Sequence, residues 1–222
     1  MEKISEHNNF VYLTVALVLL LFIAALIDQF PNHIGQRLVQ ASTVITLLVG
    51  ILGFRSSRIS FRTGIGFVIS VLSVFILGIF LDISGLDYLH ILLLIAFFIW
   101  ATWIAARQVL FIGPIDGNKI VGAICIYLMM GLIWALSYLL IAEIIPDAFN
   151  GLEHASWEKN FADATYYSFV TLTTLGYGDI TPKASIARFL VYMEAIVGVF
   201  YMAILVASLV GIRISTTLLE KE

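Results

Sequence analysis

The chain has a single cysteine, Cys125, among its 222 residues, which excludes an internal disulfide, and no metal-ligating companion lies near it. Charge is scarce as well. Asp, Glu, Lys and Arg together make up 12 % of the residues, against about a quarter in a soluble domain. The net charge of −3 carries no basic stripe of the kind that nucleic acid requires, so a nucleic-acid partner is excluded. No period repeats and no low-complexity tract is present, which removes solenoids and linker-rich architectures. Apolar residues fill the space left by these absences, at 61 % of the chain with a mean hydropathy of +1.02. A chain of this composition is built for lipid.

Five uncharged apolar runs, at 10–27, 38–54, 64–81, 89–106 and 120–142, approach the roughly 20 helical residues that cross a bilayer. A sixth, at 189–212, carries one internal charge, Glu194. The first run is longer than the apolar core of a signal peptide, and no small-residue cleavage site follows it, so it is read as a membrane helix. The expectation is an all-α membrane protein with six transmembrane helices.

Lysine and arginine set the orientation. With the N-terminus in the cytoplasm, Lys3, Arg55, Arg58, Arg62, Arg107, Lys119, Arg213 and Lys221 fall inside, and only Arg37, Lys159, Lys183 and Arg188 fall outside. The protein is therefore expected in the cell membrane, multi-pass, with both termini cytoplasmic. The outer loops are acidic, an arrangement that gathers cations at that face. The break at Gly113-Pro114-Ile115-Asp116-Gly117 divides the chain into a four-helix membrane domain over 1–112, a linker over 113–119 and a second domain over 120–222. About ten residues follow the last apolar run, so no cytoplasmic ligand-binding domain is expected there.

The second domain contains Thr171-Leu172-Thr173-Thr174-Leu175-Gly176-Tyr177-Gly178-Asp179, preceded by a short amphipathic stretch and placed between two spanning runs. This segment resembles the selectivity filter of the tetrameric potassium channel family, which usually reads T-V-G-Y-G-D, with Leu175 standing where valine is commonest. The resemblance extends from about residue 120 to 213 and includes the order of outer helix, pore helix (161–173), filter and inner helix. It implies that the carbonyls of Thr174, Leu175, Gly176 and Tyr177, with the Thr174 hydroxyl, replace the water of a potassium ion. Gly176 and Gly178 supply backbone angles that side-chain-bearing residues resist. Tyr177 would lean on Tyr166 and Tyr167, with Thr173 and Asp179 also supporting the filter. Four copies of one filter segment imply a homotetramer with cyclic symmetry in the bilayer.

By the same resemblance Gly198 falls at the inner-helix hinge, and Val199, Met202 and Val206 would line the central cavity. Glu194 lies one turn before Gly198 and is expected behind the filter, bonded to pore-helix groups among Tyr167, Ser168 and Thr171. His90 reads as capping the outer end of the fourth helix and His154 as a loop residue. Gly131 and Ala135 have the small-residue spacing of close helix contact.

These expectations converge on a potassium-selective channel subunit that conducts K+ passively, needs no cofactor and is not an enzyme. The stretch 89–110 carries only Arg107, at its cytoplasmic end, too few charges for steep voltage gating, and the four leading helices are expected beside their own pore helices. A weakly selective cation channel of the same architecture and a regulatory potassium channel subunit share most of these features. A potassium uptake transporter fits less well, because a single filter-like loop is present without internal repeats.

Overall fold

The computed structural model describes residues 9–26, 32–53, 58–81, 85–111, 117–153 and 155–219. Within them the chain is helical almost throughout: α1 (Asn9–Ala25), α2 (Asn32–Gly53), α3 (Arg58–Leu81), α4 (Gly85–Phe111), α5 (Gly117–Ile144), α6 (Trp157–Leu172) and α7 (Ser185–Leu219). Two short strands, β1 (Phe149–Asn150) and β2 (Thr181–Pro182), pair antiparallel, with Phe149 opposite Pro182 and Asn150 opposite Thr181.

Four helices contain stretches long and apolar enough to cross a membrane: Ser60–Gly78, Gly85–Val109, Gly117–Ile144 and Ser185–Leu205. The apolar stretches Asn9–Ala25 and Arg37–Gly53 are shorter. The 17 residues of α1 extend about 25 Å at about 1.5 Å per residue, a little under the hydrocarbon thickness. The protein is thus an all-α membrane protein.

The consecutive helices α1 and α2 run in opposite directions, as do α4 and α5. The Asn9 side-chain amide at the start of α1 donates to the Gly53 carbonyl at the end of α2, 3.1 Å away. The Tyr88 hydroxyl near the start of α4 donates to the Glu143 carbonyl near the end of α5 (3.3 Å). Helices of the first half pack on those of the second, α1 and α4 against α5 and α2 against α6. The Gln40 amide of α2 donates to Glu158 of α6 at 2.9 Å, which fixes that second contact.

The central helix is α5. Its apolar residues are distributed all around its axis, and the buried ones include Cys125, Met129, Leu132, Ala135, Leu136 and Leu139, so it is enclosed on several sides. Gly131 allows the closest approach, since a Cβ there would lie 2.5 Å from Phe169 Cζ of α6. The Gly131–Ala135 spacing therefore serves the contact between α5 and α6. His90, read as an outer cap, is instead buried, with its ring 5.2 Å from Trp157 of α6 and 6.5 Å from Phe75 of α3. His154 lies outside the described residues.

Candidate functional site

The site begins at the short helix α6. It starts one turn earlier than the expected residue 161, because the loop before it is tied to its first turn. The buried Asn160 amide donates to the carbonyls of Glu153 (2.8 Å) and Ala155 (3.4 Å). Sixteen residues extend about 24 Å at about 1.5 Å per residue, and the chain then turns back instead of continuing across.

The turn is built by N–H groups folding back onto the last carbonyls of α6. Thr173 donates to the Phe169 carbonyl (3.0 Å) and Thr174 to that of Thr171 (2.8 Å). Leu175 and Gly176 both donate to the Val170 carbonyl, at 2.9 and 3.2 Å. The Thr173 hydroxyl adds a bond to the Phe169 carbonyl at 2.6 Å. These bonds satisfy carbonyls that a helix end leaves unpaired, and they direct the amides of 173–176 into the protein.

Among the described residues no hydrogen bond ends on the carbonyls of Thr174, Leu175, Gly176 or Tyr177. The backbone is left-handed at Thr174 (φ +61°), Gly176 (φ +58°) and Gly178 (φ +84°). At the two glycines a Cβ would meet nothing within 4 Å, so the requirement for glycine is one of backbone angle, not of room. Thr174 takes the same angle with a β-branched side chain, which is uncommon and strained. Composition and spacing gave no sign of that strain. The Leu175 and Tyr177 side chains are 55 % and 67 % exposed within the single chain.

Support for this segment comes from three directions. Beyond the segment's last glycine, the Tyr166 hydroxyl donates to Asp179 Oδ2 at 2.7 Å. That bond holds the Asp179 carboxyl below its ordinary range and pushes the Tyr166 hydroxyl up to about 12. The sign follows from the depressed carboxyl: the contact is present above the ordinary carboxylate range and is lost as pH falls through the lowered value. Tyr166→Phe is expected to raise the Asp179 carboxyl toward its ordinary range, as measured by infrared titration of the carboxylate across a pH series. An unchanged profile would remove Tyr166 from the support of Asp179.

Behind the segment stands Tyr167, buried, its ring 5.2 Å from Tyr138 of α5 and 5.9 Å from Phe149 of β1. On the inner side lies α7, which runs unbroken through Gly198. A Cβ built on Gly198 would fall on the Leu172 carbonyl oxygen at the end of α6. The Tyr127 hydroxyl of α5 donates to the same carbonyl at 3.3 Å.

Glu194 is fully buried. Its Oε1 is 2.6 Å from Ser168 Oγ of α6, and its Oε2 accepts a bond from the Tyr138 hydroxyl of α5. Ser168 Oγ also lies 2.7 Å from the Gly131 carbonyl oxygen. Thus Ser168 is the expected partner that the structure brings to Glu194. Thr171 makes no bond to it, and Tyr167 is a neighbour. Tyr138 was not anticipated as a partner, although a tyrosine inside an apolar helix signals a hydroxyl in need of one. Val199 and Met202 are 54 % and 45 % exposed on α7. Val206 lies on the same helix, its side chain outside the described residues. Asp87, Glu143, Asp147 and Glu153 are among the residues that line a cavity of about 440 Å³.

A short helix that enters, stops and returns through an irregular segment between two long apolar helices defines the class of re-entrant-loop membrane proteins. Known proteins narrow the class. Residues 122–213 match the family model described as an ion channel. The chain is 34 % identical over 88 residues to the inward rectifier potassium channel Kirbac3.1 of Paramagnetospirillum magnetotacticum, covering 40 % of this chain and 27 % of that protein. It is 37 % identical over 51 residues to the hyperpolarization-activated voltage-gated potassium channel of Methanocaldococcus jannaschii, 23 % of each chain. It is 34 % identical over 79 residues to two-pore potassium channel 4 of Arabidopsis thaliana, 34 % of this chain and 26 % of that one. The chain spans about a quarter of the length of these curated relatives. No solved structure matches. Over residues 122–213 the chain is thus similar to ion channels, and each of these three relatives is named a potassium channel.

Proposed function

We propose that this chain is one subunit of a homotetrameric, potassium-selective channel in the cell membrane. The carbonyls of Thr174, Leu175, Gly176 and Tyr177, with the Thr174 hydroxyl, replace the hydration shell of K+. The observation that carries this reading is the left-handed backbone at Thr174, Gly176 and Gly178 beside amides turned into α6. Carbonyls without partners at membrane depth are stable only where an ion or water meets them.

One chain contributes one row of oxygens, and a dehydrated ion needs them on every side, which calls for four copies about an axis. The apolar side chains of Ile196, Val199, Phe200 and Met202, exposed on α7, supply surface for such an assembly and for lipid. All six long helices cross the bilayer in this reading, and the antiparallel ties Asn9–Gly53 and Tyr88–Glu143 support the alternation.

Gating is not inherited from the relatives, whose names describe different behaviours. A charge moved across the field contributes about 2.3 kcal/mol per 100 mV, and steep opening takes several charges per subunit. Among the described residues of α4, Arg107 is the one basic side chain. Purified protein in planar bilayers is expected to show unitary currents that barium blocks. Open probability is expected to vary by less than about tenfold between roughly −100 and +100 mV. A steep rise over that range would reject voltage independence, and an absence of unitary currents would reject the channel itself.

A further inference from the structure

The contacts around Glu194 contain more oxygen pairs than the two hydroxyl groups have hydrogens. Three pairs are close: Tyr138 Oη with Glu194 Oε2, Ser168 Oγ with Glu194 Oε1 (2.6 Å), and Ser168 Oγ with the Gly131 carbonyl oxygen (2.7 Å). Two oxygens at such distances need a hydrogen between them, since otherwise their lone pairs repel. Tyr138 brings one hydrogen and Ser168 brings one, whereas the Gly131 carbonyl only accepts. One hydrogen is missing, and the only remaining group able to carry it is the carboxyl.

We infer that Glu194 is a neutral carboxylic acid whose own hydrogen joins it to Ser168, making it a protonated positioning residue that ties α5, α6 and α7 together behind the filter. The chain of donors then runs in one direction. The acid donates from Oε1 to Ser168 Oγ, Ser168 donates to the Gly131 carbonyl, and Tyr138 donates to Oε2. Every contact is satisfied. With the acid ionised, one buried oxygen pair faces without a hydrogen, and Ser168 is forced to release either Gly131 or Glu194.

The surroundings agree with a neutral group. Tyr138, Ser168 and Glu194 are each 0 % exposed. The titratable groups facing the carboxyl are Tyr127 and Tyr138 of α5 and Tyr167 of α6, and no cationic side chain faces it among the described residues. An uncompensated charge at this depth is costly.

Glutamine is the natural probe, because its amide donates where the acid's hydroxyl does and its carbonyl still accepts from Tyr138. A carboxylate accepting two bonds would have no such substitute. In full-length wild-type protein at neutral pH, infrared spectra should show a protonated-carboxyl stretch that moves in heavy water and is absent from Glu194→Gln. In proteoliposomes, Glu194→Gln should carry K+ flux within about threefold of wild type, while Glu194→Val should fall by roughly tenfold or more, as expected for orphaned buried hydroxyls. Raising the pH should reversibly reduce wild-type flux and leave Glu194→Gln flat. Absence of the carboxyl band, or a Glu194→Gln variant as impaired as Glu194→Val, would overturn the inference. Only the flux measurements rest on the channel reading. The band with no flux would refute the channel and keep the proton, whereas flux without the band would do the reverse.

Discussion

Alanine at Gly176 or Gly178 is expected to abolish potassium conduction while the subunits still fold and assemble. The two glycines have φ of +58° and +84° with open space where a Cβ would stand, so nothing collides and the helices on either side need not move. The penalty is conformational, about 1–2 kcal/mol per residue for a left-handed angle with a side chain. In the proposed tetramer it is repeated in every subunit. The chain would escape it by rotating the peptide plane, which would turn a carbonyl away from the proposed path of the ion. Proteoliposome flux should fall to background, while size-exclusion elution and thermal stability stay close to wild type. Retained conduction in either variant would mean that these carbonyls are not the ligands.

Substitution at Gly198 should act in the opposite manner, on the fold first and on conduction as a consequence. The obstacle there is spatial. A Cβ would fall on the Leu172 carbonyl oxygen and come within 3.0 Å of Leu172 Cδ1, and a backbone oxygen already accepting from Tyr127 cannot step aside as a flexible side chain can. Overpacking of this kind costs about 1–3 kcal/mol, so Gly198→Ala should lower the melting temperature and Gly198→Val should prevent stable assembly. Gly66 is the control, because it lies in α3 with nothing within 4 Å of its missing Cβ. Gly66→Ala is expected to stabilise by about 0.5–1 kcal/mol through helix propensity alone. Equal effects at the two positions, read by thermal unfolding in detergent, would show that the α6–α7 contact does not depend on glycine.

The contrast between these glycines shows what could be read from the chain and what could not. Apolar runs announce membrane helices because lipid demands them over a fixed length, and the Thr171–Asp179 segment is specific enough to indicate the family that the matches then supported. Helix ends were less legible. The first turn of α6 does carry start signals, Ser156 at the cap and Glu158 after it, but Glu158, Lys159 and Asn160 interrupt the apolar pattern from which the start was read.

Contacts between distant elements were legible only in part: Ser168 was among the partners expected for Glu194, and others were not foreseen. His90 looked like an outer cap because it sits near a helix start, and only the packing of α3 and α6 on α4 shows that it is enclosed by Phe75 and Trp157. Tyr138 lies 56 positions from Glu194, and no spacing rule connects them. Glu194 itself stood out as the one charge inside a long apolar run. The identity of its partners depends on the rotation of three helices about their axes, which apolar content leaves unspecified.

The most direct test of the potassium-channel account is the reversal potential of single-channel current with potassium on one side of the bilayer and sodium on the other. The account predicts a potential close to the potassium limit, with sodium at least about tenfold less permeant. A reversal near zero, with the two ions carrying equal current, would contradict it.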